Sequence, residues 1–215
     1  MTGMIGLARR GVIASARSRG VVASYASFPS KPAGIVDVAM TVGAGASTVN
    51  SNVFTEGNST ATGGSYFSAA VFPDEMGTSL YAPRVRNANR AVSDRGIGCG
   101  MANSAGTSIV YFIMCGNSTA ASIQTWVGGT RAIQTSQSGL FSTSSSDWLS
   151  LVPTLESGHY RYTVHKNASA TALSWLDSAD LIGVPGKHPC VTFRHSYSGG
   201  QFPSQGVAAF SAADI

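Results

Sequence analysis

Charge is what this 215-residue sequence has least of. Asp, Glu, Lys and Arg together make up 11%, against roughly 25% in an ordinary soluble domain. So little Glu and Lys excludes a coiled coil, a helical repeat array and an ordinary helix bundle, whose exposed faces are built from them. Cysteine is scarce too. Cys99, Cys115 and Cys190 are an odd number with no C-x-x-C spacing, which speaks against a disulfide framework and against a zinc site. Cys115 ends an apolar run and Cys190 starts one, so both read as small buried hydrophobes. No apolar stretch reaches the ~18 residues of a membrane-spanning helix, so no membrane span is expected. With 43% hydrophobic residues, the bulk of the chain is not disordered.

Glycine and serine are abundant, at 25 and 31 residues. That excess favours turns and short strands over long helices. The net charge of +4 is unevenly spread. Residues 1–34 carry Arg9, Arg10, Arg17, Arg19 and Lys31 and no acid, giving +5, while residues 35–215 carry nine bases and ten acids, giving −1. The basic character therefore belongs to an N-terminal segment that suits an acidic partner.

That segment is rich in Arg, Ala, Ser and Val, as mitochondrial transit peptides are. Glycines at 3, 6, 11 and 20 interrupt it, and its apolar residues form no single helical stripe. It reads as a basic arm, residues 1–34, held by neighbouring subunits. Ser27-Phe28-Pro29-Ser30-Lys31-Pro32 reads as its stiff linker.

After Gly34 the chain becomes short apolar runs between turn clusters. Strands are expected at 35–42, 65–72, 80–85, 91–98, 108–115, 122–127, 148–152, 160–165, 171–176, 191–195 and 206–210. Many short strands at regular spacing imply one antiparallel sandwich or barrel over residues 35–215. Ile109-Val110-Tyr111-Phe112-Ile113-Met114-Cys115 is apolar throughout and should be a central strand covered on both faces.

Several phrases resemble a known family. Tyr66–Phe72, then Gly96-Ile97-Gly98-Cys99-Gly100, then Ser108–Cys115 follow the strand order of concanavalin A-like lectin/glucanase jelly rolls. Thr125-Trp126-Val127-Gly128-Gly129 sits where a strand of that family turns. Tyr160–Val164 followed by Ala172-Leu173-Ser174-Trp175-Leu176-Asp177-Ser178 resembles its paired strands. The ending Gly206–Ile215 is similar to the closing strand of such domains in minor tail proteins of phages that infect actinobacteria. The resemblance implies an all-β, antiparallel jelly-roll β-sandwich of two curved sheets. It also implies a virion setting with other virion structural proteins as partners, assembly as a homo-oligomer, and contact with a host-surface glycan.

Enzymatic equipment is hard to find. Retaining glycosidases need two carboxyl groups about 5 Å apart, which alternation supplies when acids recur on one strand face. Here Glu56, Glu75 and Glu156 lack such a partner, and Asp74-Glu75 follows Pro73, which places it in a turn. Asp177 and Asp180 read as a turn and strand-end cap. No Gly-x-Ser-x-Gly elbow is present. Asn87, Asn89 and Asp94 are interspersed with Arg84, Arg86, Arg90 and Arg95, whose charge would repel calcium. No catalytic residue, metal or cofactor is expected.

The arginine cluster reads either as a docking surface for an acidic neighbour or anionic glycan, or as a solvated edge that discourages strand-to-strand aggregation. Trp126 with Arg131, and Trp148 after the Ser-rich loop, are candidates for sugar contact. Nucleic-acid binding is not expected, since the body is net −1 and has no aromatic-basic stripe. The expected function is a non-enzymatic phage virion protein, a minor tail protein whose arm, with Arg9, Arg10, Arg17 and Arg19, docks it into the assembly. The alternatives are a carbohydrate-binding module for a cell-wall glycan, and a capsid decoration or head-fibre protein.

Overall fold

A computed structural model describes residues 21–42, 44–56, 64–87, 96–115, 120–139, 147–197 and 206–215. Among them there is no helix, so none long and apolar enough to cross a membrane. The strands form two antiparallel sheets. In the eight-stranded sheet the order is β13 (Ser169–Leu176), β12 (His159–Lys166), β11 (Trp148–Glu156), β6 (Tyr81–Asn87), β15 (Val207–Asp214), β4 (Val53–Glu56) and β3 (Ser47–Asn50), with β1 (Val21–Tyr25) also paired to β15. In the seven-stranded sheet it is β10 (Thr130–Gln137), β9 (Ala121–Val127), β8 (Ser108–Cys115), β7 (Gly96–Ala102), β14 (His188–Tyr197), β5 (Gly64–Val71) and β2 (Val36–Ala39). This is the expected all-β jelly-roll sandwich.

Alternation sorts the side chains. Tyr81, Val85, Leu149, Leu151, Tyr162, Val164, Leu173 and Phe210 of one sheet meet Ile97, Met101, Val110, Phe112, Ile123, Val191 and Phe193 of the other in the main core. At one end the rings of Phe72 and Phe210 stack with centroids 4.5 Å apart. Strand β8 is covered on both faces, as its sequence requires. Val110, Phe112 and Met114 enter the core between the sheets. Ile109, Tyr111 and Ile113 enter a second apolar cluster with Met40, Phe67, Ala69, Val71, Ala102 and Cys190. Every described member of that second cluster comes from the seven-stranded sheet or, with Met40, from just beyond it. The sheet therefore has a dry outer face as well as a dry inner one.

The structure differs from the sequence expectations in three places. The hairpin β3–β4 turns through Ser51 and Asn52, and both have positive φ (51° and 63°). Two-residue hairpins need this, but Ser-Asn is a weak signal for it. β10 went unread because its edge position leaves it polar, with most of its residues exposed or half-buried. The third difference is at the expected arm boundary. Val21–Tyr25 pairs with β15, and Phe28 is 0% exposed, its ring 5.1 Å from Phe54 and its backbone N–H donating to the Asn52 carbonyl at 3.2 Å. The sandwich thus begins before residue 34, because Tyr25 and Phe28 bring aromatic area to the edge that β15 shares with β4. Arg9, Arg10, Arg17 and Arg19 lie outside the described residues.

Burial also controls ionisation. Desolvation pushes the hydroxyls of Tyr81, Tyr111 and Tyr162 up from the ordinary 10.0 and the thiols of Cys99 and Cys190 up from 9.0. The Tyr162 hydroxyl has no hydrogen-bond partner, so nothing offsets its burial.

Two measurements check this architecture. Phe28→Ala is expected to cost about 3–5 kcal/mol in a urea titration, as for a core aromatic, whereas a true linker residue would change little. In the alkaline range the folded chain keeps these hydroxyls and thiols neutral while the unfolded chain ionises them. Stability is then full below pH ~9 and falls as pH rises, by about 1.4 kcal/mol per unit for each group past its unfolded value. Tyrosinate absorbance from the three tyrosines should appear only together with unfolding.

Candidate functional site

The outer face of the seven-stranded sheet is where chemistry converges. In β7 the glycines at 96, 98 and 100 alternate with Ile97, Cys99 and Met101. The second set points into the main core, so from Gly96 to Gly100 the outer face of this strand carries no side chains, and only Ala102 at its end joins the outer cluster. Thr192 Oγ1, on the neighbouring β14, donates across the strand to the Phe112 carbonyl of β8 at 3.2 Å. A Cβ on Gly98 would lie 1.7 Å from that carbonyl oxygen and 2.8 Å from Thr192 Oγ1, so only glycine fits.

On either side of this bare strand the register lines up polar groups. Arg194 faces Phe67 and Gly96, Tyr111 faces Gln124, and Arg131 faces Trp126. The result is a cup of about 340 Å³ whose lining includes Ser65, Phe67, Ile113, Ser122, Gln124, Arg131, Ile133, Ser136 and Arg194. β10 and β5 are five strand spacings apart, about 24 Å in a flat sheet. Yet the Arg131 guanidinium carbon sits 3.9 Å from the Phe67 ring centroid. The sheet curls until its outer face becomes concave, and this closure dries the second cluster.

The cup's groups form one network. The Tyr111 hydroxyl donates to Gln124 Oε1 at 2.9 Å, and Arg131 Nη1 donates to the same oxygen at 2.8 Å. Gln124 Nε2 then donates to Ser122 Oγ at 2.6 Å. Gln124 is 3% exposed, so this orientation is fixed from all sides. Arg194 Nη2 donates to Ser65 Oγ at 3.2 Å, and its guanidinium carbon is 5.8 Å from the Phe67 ring. Among the described lining residues two are arginine and none is acidic.

The sequence candidates divide between two faces. Trp126 and Arg131 belong to the seven-stranded sheet, Arg131 lining the cup and Trp126 half-buried against the cluster beneath it. Arg84, Arg86 and Trp148 come together on the eight-stranded sheet, with Arg84 4.7 Å and Arg86 5.8 Å from the indole. Arg84 and Trp148 line a second depression that includes Ser150, His165 and Asn167. Several of its polar groups are engaged within the fold. Arg84 Nε donates to Ser211 Oγ at 2.6 Å, Asn167 Nδ2 to Asp147 Oδ1 at 2.8 Å, and the Trp148 backbone N–H to Asn167 Oδ1 at 2.9 Å. Arg90 and Arg95 lie outside the described residues. The sequence reading missed Phe67, Tyr111, Gln124 and Arg194. Each looks like ordinary strand composition, and only the ladder register joins residues as far apart as 67 and 194.

Three of the described acids are held by partners within the fold. Asp177 accepts the backbone N–H groups of Leu181 and Ile182, both at 2.8 Å, and so caps the turn after β13 as expected. Asp180 meets His159 Nδ1 at 3.0 Å. Glu156 takes the Arg161 guanidinium through both oxygens, at 2.5 and 3.0 Å, and that partner lowers its pKa.

No protein-family model and no curated protein sequence matches the chain. Its fold has solved counterparts. A carbohydrate-binding module, CBM2, of the evolved Dit of Lactobacillus casei BL23 phage J-1 superposes with a TM-score of 0.52 at 9% identity, covering 91% of this chain and 96% of that one. Lectin II from Ulex europaeus gives 0.47 at 9% identity over 92% and 100%. The non-specific endo-β-1,3(4)-glucanase SCLam of family GH16 gives 0.47 at 9% identity over 78% and 74%. The likeness is one of fold.

Gly98→Ala tests the bare strand. It is expected to cost about 3 kcal/mol, the upper range for overpacking, because the new methyl meets backbone, which cannot swing away. Chemical denaturation measures it.

Proposed function

We propose that this chain is a non-enzymatic saccharide-binding component of a phage virion, a minor tail protein, with the cup on the seven-stranded sheet as its binding site. The observation that carries the binding part is the network around Gln124. A buried amide held by Tyr111, Arg131 and Ser122 presents fixed hydrogen-bonding groups at the bottom of a concave, partly apolar surface. Sites for small polar ligands are built this way, and preorganised donors spare a ligand the cost of ordering them. The cup's described lining holds no carboxylate. The two acids needed for glycoside hydrolysis are therefore not supplied by those residues, which supports binding without turnover.

The virion setting rests on different support. Residues 1–34 carry +5 beside a body of −1, which suits docking against an acidic assembly partner, and the closing strand resembles those of phage minor tail proteins. The J-1 module is a precedent for the fold in a phage protein. As a homo-oligomer the protein would present several cups at once, and weak single-site binding would gain from that multiplicity.

Two experiments address these parts separately. Purified full-length protein should retain host cell-wall polysaccharide without releasing new reducing ends, and Gln124→Ala should weaken retention at least tenfold with the fold intact by circular dichroism. Reducing-end release, or retention unaffected by Gln124→Ala, would overturn the binding reading. Deleting residues 2–20, which stops short of β1, should exclude the protein from particles yet leave polysaccharide retention unchanged. Normal incorporation of the deleted chain would overturn the docking role of the leader.

A further inference from the structure

We propose a second saccharide site on the opposite side of the sandwich: the depression over Ser150 on the outer face of the eight-stranded sheet, which holds a neutral sugar through neighbouring hydroxyls. Its ligand class rests on the saccharide reading above; the site itself is separate from the cup.

The first ground is register. Ser211 of β15, Arg84 of β6, Ser150 of β11 and His165 of β12 stand directly opposite one another in one row across four strands. Their neighbours along the strands, Val85, Leu149, Leu151, Val164 and Phe210, enter the main core, so alternation turns the row outward. Arg84, Ser150 and His165 each have described residues before and after them and on both flanking strands. The depression above them holds about 490 Å³, within the roughly 300–1,000 Å³ of ligand pockets. Ala82, Val152, Ala168 and Ile215 supply its apolar lining.

The second ground is which polar atoms stay open. Arg84 lies over Trp148 at 4.7 Å and donates from Nε to Ser211 Oγ at 2.6 Å. These two contacts fix the guanidinium plane, while Nη1 and Nη2 make no hydrogen bond with the described residues. His165 Nδ1 lies 3.3 Å from the Ala168 carbonyl oxygen. A carbonyl only accepts, so Nδ1 carries the proton, and Nε2 of the neutral ring is an acceptor. Between the two, Ser150 Oγ makes no hydrogen bond with the described residues and can donate or accept.

The third ground is what fits that order. The row presents fixed donors at one end, an acceptor at the other and a hydroxyl between them. A carboxylate or a phosphodiester only accepts and would face the Nε2 lone pair with nothing to give it. Adjacent sugar hydroxyls both donate and accept, so one can take a hydrogen bond from Arg84 while its neighbour gives one to His165. The backbones of these two residues are two strand spacings apart, about 10 Å, which leaves room for a sugar ring over Ser150. Because the cup and this depression lie on opposite faces, one chain holds two saccharide segments, and each weak contact gains from the other.

The test uses the full-length chain and short neutral oligosaccharides prepared by partial hydrolysis of host cell-wall polysaccharide. Equilibrium dialysis reads the moles bound per mole of chain, a ratio that oligomerisation leaves unchanged when each chain carries its own sites. The unaltered chain is expected to saturate at two. Gln124→Ala and Ser150→Val should each saturate at one, and the double variant should bind none. Ser150→Val fills the depression at a strand position that suits a β-branched residue. His165→Phe, which keeps a ring and removes the acceptor, should match it. Thr154→Ala, farther along β11 and outside the depression's described lining, should still saturate at two. The melting temperature of each variant separates lost binding from lost fold. Saturation at one, abolished by Gln124→Ala and untouched by Ser150→Val and His165→Phe, would overturn the second site and leave the cup standing. The reverse pattern would overturn the cup and leave the second site standing. No binding by the unaltered chain would overturn both.

Discussion

A seven-stranded sheet that curls until Arg131 on one edge strand reaches Phe67 near the other is the constraint on which the rest of this protein depends. A flat sheet of this width would leave its outer face in water. Curling removes Ile109, Tyr111 and Ile113 from solvent, and at roughly 25 cal/mol per Å² of apolar area this second dry face adds to the stabilisation from the main core. The same motion gathers the polar ends of Gln124, Arg131 and Arg194 into one place. Folding and site formation are one event here.

The curl needs a strand that can be crossed. β7 supplies it by presenting glycine outward at 96, 98 and 100 and core residues inward at 97, 99 and 101. Thr192 can then reach Phe112 over Gly98. Glycine in a strand ordinarily weakens it. Here the loss is offset by close packing and by the hollow that the missing side chains leave between Arg194 and Ile113.

The eight-stranded sheet does different work. Its outer face holds Trp148 against Arg84 and Arg86, of which Arg84 also hydrogen-bonds Ser211, and its edge takes up β1 and Phe28. The described chain therefore begins with β1 beside β15, on the sheet that does not carry the cup. That division suits a protein attached through one part and free to bind through another, which is how the proposed tail protein would present its site.

The all-β class, the body's near neutrality and the two-sided burial of β8 were legible in the sequence, because alternation, turn residues and an unbroken apolar run are local signals. The alternation of Gly96-Ile97-Gly98-Cys99-Gly100 was visible too, although its purpose was not. The cup was largely illegible. Arg131 and Trp126 could be picked out as a suggestive pair, but Phe67, Tyr111, Gln124 and Arg194 become neighbours only through ladder register and sheet curvature. Both follow from contacts between residues tens to more than a hundred positions apart. Local propensity decided which segments became strands; the burial of two faces of one sheet decided which side chains met.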